Sequence, residues 1–123
     1  MPVVTAPIGP THEVGGARFT SLATPTRGAA ETAVWTVEID PGTPAVPHAL
    51  TREEVFVVLS GAADVALGDE RALAAEGDAI VVPPDTRFAI TSHGGAPVRL
   101  LCCLPVGGRA ITAEGTFTPP WAL

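Results

Sequence analysis

The chain has 123 residues, 46% of them hydrophobic, with seven Arg, no Lys and thirteen Asp or Glu for a formal net charge of −6. That suffices for one domain with a core, and it argues against nucleic acid as a partner, because a phosphate backbone needs clustered positive charge. No apolar run reaches a membrane-spanning length, and the start "MPVVTAPIGPTHEVGG" has neither a basic first segment nor an apolar one after it, so a cytoplasmic protein is expected.

The N-terminal arm, residues 1–16, reads as irregular. "ETAVWTVEI" then alternates, with Ala33, Trp35, Val37 and Ile39 on one face. It stops at the turn signal Asp40-Pro41-Gly42. "EVFVVLS" is apolar on both faces, which predicts a strand covered on both sides. "ADVALGDERALAA" predicts two short strands around a Gly68-Asp69 hairpin turn. "AIVVP" and "RFAITS" flank Pro83-Pro84-Asp85, and "PVRLLCCLP" is the last strong strand. Strands at intervals of about ten residues with Gly and Pro between them predict an antiparallel sandwich or barrel. The tail, residues 112–123, carries Phe117 and Trp121 as apolar anchors that dock on the barrel or on a second subunit. The expected core includes Trp35, Val37, Phe56, Val58, Ile80, Val82, Phe88 and Ile90.

Composition also limits the chemistry. With no Lys and no Tyr, neither a Schiff base nor a Tyr acid or base is available. The lack of Lys and Asn beside twenty Ala fits the coding bias of a GC-rich bacterial genome. Cys102 and Cys103 are adjacent, so on a strand they face opposite ways, and a disulfide between them would be strained. Both are expected reduced. If Arg99 points to solvent, Cys102 points inward, on a strand expected beside that of Phe88.

Gly42, five residues, His48, Leu50, Glu54 and Gly61 form the most distinctive spacing. It resembles the first signature of the cupin family: Gly, five residues, His, one residue, His, three or four residues, Glu, six residues, Gly. Leu50 stands at the second His. The second signature is echoed by Gly77 and Pro83 in "GDAIVVPPDTRFAITS", with Asp85 in place of a Gly, Phe88 in place of the metal-binding His and Ser92 in place of an Asn. The resemblance covers about residues 33–105. It implies an all-β fold, a cupin-type double-stranded β-helix or jelly-roll barrel. It also implies one domain over residues 1–123 with a barrel core at about 31–105, and a homodimer formed through sheet edges or terminal arms.

In that family two His and a Glu of the first signature, and a His of the second, face the barrel interior and bind a divalent metal. The resemblance therefore places His48 and Glu54 in the interior as metal-binding or catalytic residues. They would hold iron, manganese, zinc or nickel weakly, since Leu50 and Phe88 take the other two places. Glu53 should turn to the opposite face. His12 in the arm is a candidate for the barrel mouth, and His93 belongs in a loop. The expected pocket is small and apolar, with Trp35, Leu50, Phe56, Phe88 and Cys102, and with Val58 and Ile90 nearby. Its polar points are His48 and Glu54, paired to each other, with Thr36 or Arg52 at the rim. Such a pocket suits a compact apolar or aromatic molecule with one polar group. Three functions follow. The chain is a small-molecule-binding protein. Alternatively, it is an isomerase, cyclase, lyase or oxygenase using a divalent metal or a metal-free His–Glu pair. As a third reading, it is a structural or interaction module.

Overall fold

The computed structural model describes residues 2–123. Strand β1 (His12–Val14) leads into β2 (Ala17–Ala23) and β3 (Thr32–Ile39). Strands β4 (Ala49–Leu50), β5 (Glu54–Ser60), β6 (Ala63–Leu67), β7 (Glu70–Ala74), β8 (Ala79–Val82) and β9 (Phe88–Ser92) follow. The chain closes with β10 (Val98–Pro105), β11 (Ala110–Thr112) and β12 (Gly115–Phe117). Pro25–Arg27 and Pro120–Ala122 are short 3-10 turns. The antiparallel all-β architecture expected from the alternation and the Gly/Pro turns is what forms.

One wall is a six-stranded sheet in the order β1-β2-β3-β10-β5-β8. The opposing wall is two three-stranded sheets, β12-β11-β4 and β7-β6-β9. A bridge stitches these two together: His48 N donates to Phe88 O at 3.0 Å and Phe88 N donates to His48 O at 2.8 Å. Register on the six-stranded wall sets the interior. Cys102 lies opposite Trp35 on one side and Phe56 on the other, and Phe56 lies opposite Ile80. Because side chains alternate along a strand, all four face one way, and all four are buried.

The turns show why particular residues occupy the signature positions. Gly61 has φ 77, and a Cβ there would sit 2.5 Å from the carbonyl oxygen of Pro97, so conformation and close approach both demand glycine. Asp85 stands where the family pattern has a Gly, and it keeps that left-handed conformation at φ 57. Asp tolerates the region better than most residues, at some cost. Gly68 opens the β6–β7 hairpin at φ 57, as a turn with Gly first requires.

Four expectations need correction. Ala17–Ala23 is a strand that the sequence reading passed over, and β1 lies inside the arm expected to be irregular, so the six-stranded sheet extends beyond residues 31–105. β10 lies between β3 and β5, on the wall opposite the Phe88 strand. The outer face of β5, carrying Val55, Val57 and Leu59, is only half-buried, so that strand is fully covered on one side alone. Ile90 packs against the core while partly exposed. The tail docks on its own barrel: Trp121 stacks on Phe19 with ring centroids 3.7 Å apart, and Ser21 Oγ donates to the Trp121 carbonyl at 2.7 Å. Such a stack adds about 0.5–1.5 kcal/mol beyond the area it buries.

Candidate functional site

A cavity of about 320 Å³ lies between the two walls. All six aromatic residues of the chain line it: Phe19, Trp35, Phe56, Phe88, Phe117 and Trp121. They arrive from separate elements. Three come from the six-stranded wall, Phe88 comes from the opposite wall, and Phe117 and Trp121 are delivered by the C-terminal tail. The mouth is edged by Val14, Val46 and Phe117, all substantially exposed. The polar lining is Thr43, His48, Glu54, Cys102 and Thr112, and no Arg reaches it.

The expected pocket residues Trp35, Leu50, Phe56, Phe88 and Cys102 all line this cavity together with His48 and Glu54. Leu50 and Phe88 are 2% and 3% exposed, so hydrocarbon fills the two places where the family pattern has imidazoles. Cys102 does point inward, with Arg99 exposed on the other face, and Glu53 is exposed. Val58 is buried but is not part of the lining. Thr36 and Arg52 are not at the rim; Thr43 and Thr112 are the hydroxyls that the cavity meets. His12 bonds to Thr11 Oγ1 at 2.8 Å and meets the edge of Trp121 outside the lining. His93 is exposed, with Nδ1 at 3.1 Å from the Asp64 carboxylate. Phe19, and the tail anchors Phe117 and Trp121, line the cavity in addition to the residues expected there. Their only signal was that a chain so poor in aromatics keeps two of six near its C-terminus.

His48 and Glu54 line the same cavity but are not bonded to each other. No hydrogen bond joins them, and no ion pair within 4.0 Å does. The His48 ring is instead committed to the backbone: its Nδ1 lies 2.8 Å from the Val46 carbonyl. A carbonyl can only accept, so Nδ1 carries the proton, and in the neutral ring Nε2 is left as a free acceptor. The ring packs on Phe88 with centroids 4.5 Å apart.

Glu54 opens β5 opposite Val82 and is 4% exposed. No protein group donates to its carboxylate among the described residues. Burial alone pushes its pKa up to about 8, so at neutral pH it is an uncharged carboxylic acid. Burial, and then the nearby Glu54, also push the Cys102 thiol well up, which keeps it protonated and unreactive. The cavity is thus largely apolar and aromatic, and its polar groups are the Glu54 acid, the His48 imidazole, the Cys102 thiol and the hydroxyls of Thr43 and Thr112.

A divalent metal was implied by the resemblance, and the donor set does not support one. Among the described residues, no three His, Cys, Asp or Glu side chains come together in a way that could hold an ion. A catalytic site needs about three protein ligands, and this cavity offers Leu50 and Phe88 at two of the expected places. The residues present do not fit a metal.

Comparison with known proteins agrees with the architecture. The polyketide cyclase RemF from Streptomyces resistomycificus superposes with a TM-score of 0.67 at 26% identity, covering 83% of this chain and 73% of that one. A cupin superfamily protein from Desulfitobacterium hafniense superposes at 0.64 with 14% identity, over 77% and 82% of the two chains. The uncharacterized protein MJ1618 of Methanocaldococcus jannaschii is 36% identical over 53 residues, which is 43% of this chain and only 42% of that relative's length. The profile of the family described as "Cupin domain" matches residues 35–104, from the cavity residue Trp35 to Leu104, and the chain belongs to that family.

Proposed function

We propose that this cupin binds a compact, largely apolar small molecule, aromatic or similarly flat, in the barrel cavity. One observation carries the reading: every aromatic residue of the chain, from five separate parts of the sequence, converges on one cavity of about 320 Å³. A core needing only to be filled has no reason to leave that space among its rings. Both tryptophans line the cavity and the chain has no Tyr, so intrinsic fluorescence reports directly on it. Titration with uncharged bicyclic aromatic fragments is expected to change that emission and raise the melting temperature. His48→Ala is expected to weaken binding while leaving the fold intact. If no fragment perturbs either signal, or if His48→Ala leaves affinity untouched, the pocket assignment is wrong.

A catalytic reading is favoured by the likeness to RemF, at 26% identity over most of both chains. In that reading Glu54 gives a proton to a bound carbonyl oxygen, and His48 Nε2 takes one from an adjacent carbon, so the pair works as general acid and base without a metal. Exchange of the α-protons of an aryl ketone in heavy water, followed by proton NMR, tests it. Exchange catalysed by the wild type and lost in His48→Ala supports catalysis; equal exchange with and without protein leaves binding as the function.

A further inference from the structure

Resting on the binding reading above, we infer that the ligand is an uncharged molecule that places a carbonyl-type acceptor on Glu54 and a hydroxyl or N–H donor near His48, and that the cavity rejects anions. Among the five polar residues of the lining, His48 and Glu54 are distinguishable by what each has left to offer. His48 directs its Nδ1 proton to the Val46 carbonyl, which in the neutral ring leaves Nε2 to accept. Glu54 is more than nine-tenths buried, lines the cavity and has no protein partner. Its carboxyl group opens onto the cavity, and the group expected to satisfy it is one the ligand brings.

The sign of the ligand's charge follows from the lining. An anion needs an Arg, a Lys or a cluster of backbone N–H groups. No Arg reaches the cavity, the chain has no Lys, and the nearest acid would repel a negative charge once ionised. A cation is a more serious competitor, because aromatic faces and a carboxylate both attract one. Against it stands the environment of Glu54. It lies opposite Val82 in the sheet and lines the same cavity as Leu50, Phe56, Phe88 and Cys102, and no protein group is hydrogen-bonded or ion-paired to its carboxyl before a ligand arrives. The free protein therefore presents a neutral O–H, poised to donate. Burial, which holds that proton to about pH 8, agrees.

Four naphthalene probes of similar size test this in the wild-type protein by isothermal titration calorimetry. They are 6-acetyl-2-naphthol, 2-ethylnaphthalene, 2-naphthoate and 2-naphthylmethylammonium. The acetyl-naphthol is expected to bind about tenfold tighter than the ethyl probe, the gain of one or two net hydrogen bonds. The naphthoate is expected to bind at least about tenfold more weakly than the ethyl probe, since an anion would enter a cavity that offers it no cation. Glu54→Leu should cost the acetyl-naphthol most of its advantage over the ethyl probe, with a wild-type circular dichroism spectrum showing that the variant is folded. Glu54→Gln, whose amide still donates, should keep affinity for the acetyl-naphthol within about threefold. Tightest binding of the ammonium probe, lost in Glu54→Gln, would overturn the inference in favour of a cation site. Equal affinity for the acetyl and ethyl probes would overturn the hydrogen-bond map while leaving the apolar cavity standing. Failure of all four probes would overturn both.

Discussion

Two carboxylates at opposite ends of the six-stranded wall meet opposite fates. On the outer face, beyond the end of β3, Asp40 receives two hydrogen bonds from Arg18, at 2.7 and 3.0 Å, and Arg18 reaches Glu38 as well. Those bonds hold Asp40 below the ordinary carboxylate range and keep Arg18 charged. Inside the barrel, Glu54 has no such partner and keeps its proton. At Asp40 the chain supplies a guanidinium, and in the cavity it supplies none. An acid without a counter-ion among six aromatic rings is suited to the neutral state, and so is whatever binds beside it.

The largest expected effect that probes this contrast is the pH dependence of stability. Folded Glu54 holds its proton to about pH 8, whereas an unfolded Glu releases it near 4.5. Between those values the folded state binds more protons than the unfolded state, so this residue's contribution is full below 4.5 and is lost as pH rises through 8. At complete ionisation the loss is roughly 4–5 kcal/mol. Denaturant melts from pH 4 to 9 should show that decline in the wild type, and Glu54→Gln should flatten it. Asp40 works in the opposite direction, because its depressed pKa makes its share appear above the ordinary carboxylate value and vanish in acid. A wild-type curve identical to that of Glu54→Gln would mean that Glu54 is paired or hydrated.

Next in size is a gain of function on the interior side. Leu50→His with Phe88→His would place imidazoles at the two vacant signature positions beside His48 and Glu54. The double variant is expected to bind zinc stoichiometrically through dialysis, with the wild type losing it, as metal analysis would read. If the wild type also retains zinc against a chelator, the cavity has a donor set that the present geometry lacks.

How much of this was legible in the sequence depends on how local each feature is. Strand alternation, the Gly68 hairpin and the inward Cys102 depend on neighbours along the chain, and they were readable. β2 was not, because "ARFTSLA" mixes Arg, Thr and Ser with its apolar residues and its partner β3 supplies much of the reason it is extended. The position of β10 between β3 and β5 is a matter of sheet order, to which periodicity is blind. For the site, the signature spacing placed His48 and Glu54 in one cavity, but their expected pairing depended on the turn at residues 51–53 and on the Val46 carbonyl that takes the His48 proton. The convergence of Phe19, Phe117 and Trp121 required the tail to fold back across the barrel, a contact between residues about a hundred positions apart.

Smaller tests sharpen the outer half of the contrast. Phe19→Ala removes the stacking partner of Trp121 and part of the cavity wall, and a loss of about 2–4 kcal/mol is expected in denaturant melts, with red-shifted Trp emission as the tail loosens. Asp85→Gly relieves a left-handed backbone at a non-glycine residue, and a gain of up to about 1 kcal/mol is expected. Arg18→Ala should have the slightest effect, a small destabilisation that weakens in high salt because the cluster it serves is partly open to solvent. A salt-independent loss there would mean that the outer cluster is sealed from solvent, and the distinction between the two carboxylates would narrow.

The central claim is that the cavity presents a neutral acid, and the titration of that acid tests it most directly. Carbon NMR of the Glu side-chain carboxyls, with Glu54 assigned by difference against Glu54→Gln, follows its protonation in the free protein. A midpoint at about 8 is the expected result. A midpoint at or below the ordinary 4.5 would contradict it, because Glu54 would then be a stabilised carboxylate and the cavity would be built to receive a cation.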